Sequence, residues 1–280
     1  MSTRPLALFI MTLAAAEAAP RILVHGHRGA RAVRPENTMA AFEYAIESGV
    51  DVLELDLAVT ADNVLVASHD PVLPEEICVG PAGTRTIREM TLERLRQFDC
   101  GSKPNPKFPR QKAVPGARVP TLDEVLALAP RGVFEFNIET KIFRDRPALT
   151  PPPAEFARLL VEAIRRHGLE KRVMIQSFDF RTLQEAARIA PEIRRSALYA
   201  GAPRDLTALA REAGATILSP HHSLVNKRVA ERARAAGLHL VPWTANTPAE
   251  WDRLIEARVD AIITDDPAAL IGYLKARGRR

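Results

Sequence analysis

The chain has little cysteine, few aromatic residues and, beyond its first residues, no long apolar run, and each shortage removes a class of protein. Two Cys in 280 residues cannot build a disulfide scaffold. No Cys/His set is there to hold a soft metal. Aromatic residues make up 5% of the chain, and no basic stripe interleaves them to stack bases, so no nucleic-acid partner is expected. No apolar run of 18 residues follows the N-terminus, which excludes an internal membrane span. A dinucleotide-binding loop is missing too: Gly26-His27-Arg28-Gly29 has the wrong spacing for one.

The N-terminal stretch MSTRPLALFIMTLAAAEA (1–18) combines Arg4, an apolar core over 6–16 and a small-residue Ala16-x-Ala18 site. That pattern reads as a secretory signal peptide, placing the mature chain (19–280) outside the cytoplasm, in the periplasm. The competing reading is a first helix of a cytosolic protein. The rest, in a chain 46% apolar and 26% charged, is enough for one large domain. A net charge of +5 favours anionic partners such as phosphates.

After residue 20, β-type runs alternate with amphipathic runs. Strands are predicted over 22–26, 52–57, 133–139, 173–176, 196–199, 216–218, 239–243 and 261–264. Helices are predicted over 39–48, 122–129, 154–167, 181–189, 205–213, 226–236, 249–256 and 270–277. Eight strands with intervening helices point to a TIM barrel, with an open doubly wound sheet as the alternative. One segment breaks the rhythm. Residues 64–68 follow strand 52–59 after a turn too short for a crossover, so they should fold back as an antiparallel hairpin and bring His69 beside Glu54. A Pro-, Gly- and Lys/Arg-containing insertion then runs over about 72–119, long enough to be functional rather than accidental. Both Cys fall inside it, and in an oxidising compartment Cys78 and Cys100 could pair; two buried thiols are the alternative.

Strand alternation locates the candidate chemistry. In Val52-Leu53-Glu54-Leu55-Asp56-Leu57 every Leu points one way and both carboxylates the other, about 6.5 Å apart along the strand. Around Phe136-Asn137-Ile138-Glu139-Thr140-Lys141 alternate positions, here the odd ones, carry Asn137, Glu139 and Lys141. The apolar sets should face the helices, turning Glu54, Asp56, Glu139 and Lys141 into the barrel near its top. Buried carboxylates need a cation. Either a hard divalent ion or a charge-paired interior, Glu139 with Lys141 or Arg28, satisfies that need. His27 ends the first strand and His69 the hairpin, a pair able to serve as general acid and base. His25 lies deeper on the same face and reads as structural. Glu36 is placed to orient Arg28, and Asn37 or Thr38 to cap the following helix.

The motifs HRGA (27–30), PENT (35–38), AF (41–42), GVDVLELD (49–56), T-x-D (60–62) and SHDP (68–71) together resemble the glycerophosphodiester phosphodiesterase family. Weaker matches follow in QSF (176–178), WT-x-N from Trp243 and TD-x-P (264–267). The resemblance spans about 22–272. It implies a metal-dependent phosphodiesterase releasing sn-glycerol 3-phosphate and an alcohol. It also implies Ca²⁺ or Mg²⁺ on Glu54, Asp56 and Glu139, acid/base roles for His27 and His69, and phosphate contacts from Arg28 and Lys141. Trp243 would be an aromatic wall for the glycerol moiety or a core residue. Rival readings are a lysophospholipase D-like enzyme on the same barrel and a non-catalytic headgroup-binding protein.

Overall fold

The structure, a computed structural model, describes residues 20–280; the expected signal peptide lies outside the described residues. Its strands are β1 (Leu23–Gly26), β2 (Val52–Val59), β3 (Leu65–Ala67), β4 (Glu135–Thr140), β5 (Val173–Ser177), β6 (Arg194–Tyr199), β7 (Ile217–Pro220), β8 (His239–Leu240) and β9 (Ala261–Thr264). All but β3 run parallel in the order β8-β7-β6-β5-β4-β2-β1-β9. Backbone hydrogen bonds from Asp260 to Leu240, Ile263 to Pro242 and Ala245 to Ile263 join the two ends. The result is a TIM barrel. The helices are α1 (Met39–Ser48), α2 (Leu92–Leu95), α3 (Leu122–Leu126), α4 (Pro153–Arg166), α5 (Phe180–Ile189), α6 (Leu206–Glu212), α7 (Lys227–Ala235), α8 (Pro248–Ala257) and α9 (Pro267–Ala276). Among the described residues, no helix is long and apolar enough to cross a membrane.

The odd-numbered residues of β2 explain why the barrel closes. Leu53, Leu55 and Leu57 are fully buried with Phe136 and Ile138 of β4 against the helix layer. Val52 on the opposite face joins Met174, Ile217, Val241, Ala261 and Ile263 in a separate apolar plug that fills the barrel floor. One strand thus serves two cores through a period of two. Some elements are shorter than the sequence pattern predicts. Regular β8 pairing ends at Leu240, two residues before Pro242, which has no N–H to give a ladder. Val133 stands fully exposed ahead of β4, and α3 gives way to a short 3₁₀ turn carrying Pro130.

The fold-back of β3 on β2 is present, with Leu57 opposite Ala67 and Val59 opposite Leu65. Asn63 takes the left-handed turn position at φ 60°, a conformation Asn accepts more readily than most residues. Behind the hairpin, Ala58 and Val66 pack with Leu73, Ile87, Met90, Leu95, Phe98 and Val119 of the inserted segment. This small second core contains the Cys78–Cys100 disulfide. Closing a 22-residue separation restricts the unfolded chain by about 3 kcal/mol on the chain-entropy account.

Candidate active site

The site begins with the turn that ends β1. Arg28 and Gly29 both have positive φ, 49° and 79°. A side chain at Gly29 would meet the Ala41 backbone at 2.6 Å, so only glycine fits there. The turn aims the Arg28 N–H at Glu54 Oε2, 2.8 Å away. It also leaves His27 at the mouth of the barrel. After it, Asn37 at φ 53° donates its amide to Asp56 Oδ2 at 3.0 Å, and Thr38 alone takes the cap of α1, accepting from Ala41 N.

At the C-terminal ends of β2 and β4, Glu54, Asp56 and Glu139 are buried and each offers an oxygen within 4.8 Å of the other two. Two cations face them. Lys141 Nζ lies 2.7 Å from Glu139 and 3.1 Å from Asp56. Arg28 Nε is 3.1 Å from Asp56 and its Nη1 donates to Glu36 Oε1 at 2.6 Å. Glu36 therefore does hold Arg28, and the interior pairs Glu139 with Lys141 but not with Arg28. Three carboxylates against two cations leave the cluster with surplus negative charge. Burial, then the Asp56 carboxylate, pushes the Glu54 carboxyl well above its ordinary range. Glu139 is raised by burial, with Lys141 opposing. For Asp56, burial is outweighed by Lys141 and Arg28, which hold it well below. Its Oδ1 is buried without an aligned hydrogen bond. Three crowded carboxylates that two cations do not balance suit a hard divalent cation.

Two histidines border this cluster. His27 Nε2 is 4.0 Å from Glu54, and its Nδ1 is 2.6 Å from Asp265 Oδ1. Burial, then Arg31, outweighs the Asp265 bond and lowers the His27 pKa to about 4. Despite its own burial, Asp265 is held far below the usual carboxylate range by its bond from His27 and by Arg31. An ionised Asp265 fixes the proton on Nδ1 and leaves Nε2 as a free acceptor facing the mouth. His69 follows the fold-back to the mouth and borders the same chamber as Glu54, Asp56 and Glu139. The ladder ends with Ser68 N donating to Asp56 O at 3.0 Å. Asp70 holds the His69 Nδ1 at 2.9 Å.

Trp243 is half-buried at the rim, its Nε1 donating to Ser219 O at 2.9 Å and its ring edge-on to Phe178 at 5.4 Å. It lines the mouth and packs on the floor plug, so both of its expected roles are open to it. His25 sits below, buried, with a pKa lowered to about 3 by burial and then by Arg194. Its neighbour Asn137 donates to Gln176, and Gln176 in turn donates to Glu54 Oε1 at 2.7 Å. Asp265 and Gln176 escape sequence reasoning as individual residues, and Asn37 enters it only as a candidate helix cap. Beyond that, their only signals are the TD-x-P, PENT and QSF strings that hold them. The insertion is tied to the same place: Gln111 donates to the carbonyls of Arg31 and Arg34, and Arg110 pairs with Asp266 at 2.8 Å.

A closed parallel barrel that gathers acids, cations and imidazoles at its strand C-termini has the layout of a TIM-barrel enzyme. Comparison with known proteins narrows the class. The sequence profile of the glycerophosphoryl diester phosphodiesterase family matches residues 27–269. A glycerophosphodiester phosphodiesterase of Caldanaerobacter subterraneus subsp. tengcongensis is 34% identical over 258 residues, covering 92% of this chain and 100% of that one. A solved structure from Silicibacter pomeroyi DSS-3 bearing the family's name superposes with a TM-score of 0.85 at 30% identity, over 92% of this chain and 95% of its own. A phosphodiesterase of Oleispira antarctica, solved in complex with the product sn-glycerol-3-phosphate, shares the fold with a TM-score of 0.76 at 23% identity, over 90% and 96%. This chain belongs to the glycerophosphoryl diester phosphodiesterase family and is a phosphoric diester hydrolase.

Proposed function

We propose that the enzyme cleaves glycerophosphodiesters to sn-glycerol 3-phosphate and an alcohol, using a divalent cation, Ca²⁺ or Mg²⁺, held by Glu54, Asp56 and Glu139. The observation that carries this reading is the convergence of those three oxygens within 4.8 Å between two imidazoles and two cations. The product bound by the Oleispira antarctica relative supports the same substrate class. When bound, the cation supplies Lewis-acid stabilisation of charge on a phosphoryl oxygen.

The chain's own groups supply the rest. Arg28 and Lys141, buried beside the carboxylates, neutralise a phosphodiester anion in a site largely closed to water. His27, neutral and acceptor-ready at Nε2, takes the proton of the attacking hydroxyl: the glycerol 2-hydroxyl, or water in a later step. His69, which borders the same chamber, gives a proton to the departing alcohol. Glu36 keeps the Arg28 guanidinium in place, and Trp243 walls the glycerol side. Export to the periplasm fits the disulfide; N-terminal sequencing of the exported protein tests it, and an intact Met1 would overturn it.

The test of function is release of glycerol 3-phosphate from glycerophosphocholine and glycerophosphoethanolamine, with and without a chelator. Product should form, stop on chelation and return with added Ca²⁺ or Mg²⁺. Cleavage of lysophospholipids alone would establish the lysophospholipase D reading instead, and binding without turnover a headgroup-binding protein.

A further inference from the structure

The barrel mouth encloses a chamber of about 140 Å³. Beside it, under the insertion, lies a second of about 410 Å³. The two share Arg28, Arg31 and His69 as a common wall. His27, Trp243 and the three carboxylates border only the first chamber; Glu76, Ile77 and Phe108 border only the second. A phosphodiester seated at Arg28 therefore has one arm in each. With His69 as the acid, as proposed above, the arm in the second chamber is the departing alcohol.

Most charges around that second chamber are already committed. Arg28 is shared by Asp56 and Glu36. Arg31 bonds Asp265 and lies over the Phe108 ring at 5.0 Å. Glu36 accepts from Arg28 and, at 3.4 Å, from Asn105. Glu76 stands apart: among the described residues it makes no side-chain hydrogen bond or ion pair, yet it lines the chamber. The half-exposed Asp70 adds a second carboxylate, bonded only to His69, and Lys107 is the one opposing ammonium. The walls between them, Ile77 and its proline neighbours, are apolar. A carboxylate without a partner beside an apolar wall attracts a cation that carries methylene or methyl groups.

Resting on the glycerophosphodiesterase reading, we propose that this chamber is the headgroup subsite and that Glu76 makes it favour a cationic amino alcohol, of the choline or ethanolamine type, over an uncharged one. The experiment compares kcat/KM for glycerophosphocholine and glycerophosphoglycerol in the parent enzyme, Glu76→Gln and Glu76→Lys. The choline-to-glycerol ratio should fall roughly three- to fivefold in Glu76→Gln, the upper range of an exposed charge pair, and further in Glu76→Lys. A purely structural effect would lower both rates together and leave the ratio where it was. Equal ratios in the parent and Glu76→Lys, with unchanged melting temperatures, would overturn the headgroup assignment. Failure of the parent to cleave either diester would instead overturn the reading on which it rests.

Discussion

The floor and the mouth of the barrel interior are built from the same strands and have opposite character. On β2, Val52 belongs to the floor plug while Glu54 and Asp56, two and four residues on, are mouth carboxylates. On β5, Met174 is floor and Gln176 supports Glu54. Beyond β8, Val241 is floor and Trp243 is rim. Each change takes two residues, about 6.6 Å of strand. The floor and the outer Leu/Phe layer hold the cylinder closed. That stability permits a mouth in which three buried carboxylates repel one another, an arrangement that costs stability and is useful only to a ligand.

The sharpest way to break this comparison is to neutralise the mouth. Glu54→Gln should lower kcat at least a thousandfold and abolish Ca²⁺- or Mg²⁺-dependent stabilisation. In chelator it should raise the melting temperature, because a carboxyl pushed up by burial and Asp56 costs stability wherever the unfolded chain would ionise it. That gain is absent below the unfolded carboxyl's pKa of about 4.3, grows as pH rises from there and levels off above the elevated folded value. Loss of stability in chelator at neutral pH would refute the division of labour. His69→Ala should cost a comparable factor in kcat with the fold intact.

The floor should answer in the opposite way. Ile217→Ala, at a site 3% exposed, should lower unfolding free energy by about 2–4 kcal/mol while kcat stays within a few-fold of the parent. A large loss of kcat at full folding would mean that floor and mouth are not separable.

Between the two in kind lies Asp265, which touches no substrate and acts through His27. Asp265→Asn should lower kcat by roughly ten- to a hundredfold with KM changed far less, since it frees His27 to adopt the wrong tautomer. Its pH–rate profile should shift as well, a change that simple loosening of the fold would not produce.

Much of this contrast can be read from alternation alone: the Leu/acid pattern of 52–57 and the polar odd positions of 135–141 put Glu54, Asp56 and Glu139 inside before any coordinates. The hairpin follows from a turn too short for a crossover. What resists reading is register and partnership across distance. Ser68 N closes the hairpin ladder on Asp56 O, a register that the turn length alone does not give. Asp265 meets His27 from 238 positions away, a contact created only when β9 closes against β1. Asn37 looks like a helix cap, and only the left-handed turn at that residue reveals that its amide serves Asp56.

Charge at the rim is not always of the mouth type, and Asp179 sharpens that distinction with the smallest effect. It follows β5, caps α5 by accepting from Arg181 N at 3.0 Å, and takes both the Arg181 and Arg144 guanidiniums. Burial opposes ionisation, but the Arg181 and Arg144 bonds prevail and bring its pKa down to about 2. A depressed carboxyl stabilises the fold above its unfolded pKa of about 3.9 and loses that contribution as pH falls through the folded value. Asp179→Ala should therefore cost about 1 kcal/mol at neutral pH. The deficit relative to the parent should shrink between about pH 4 and pH 2, and kcat should hold. A deficit that persists undiminished at pH 2 would assign the residue's contribution to packing rather than charge.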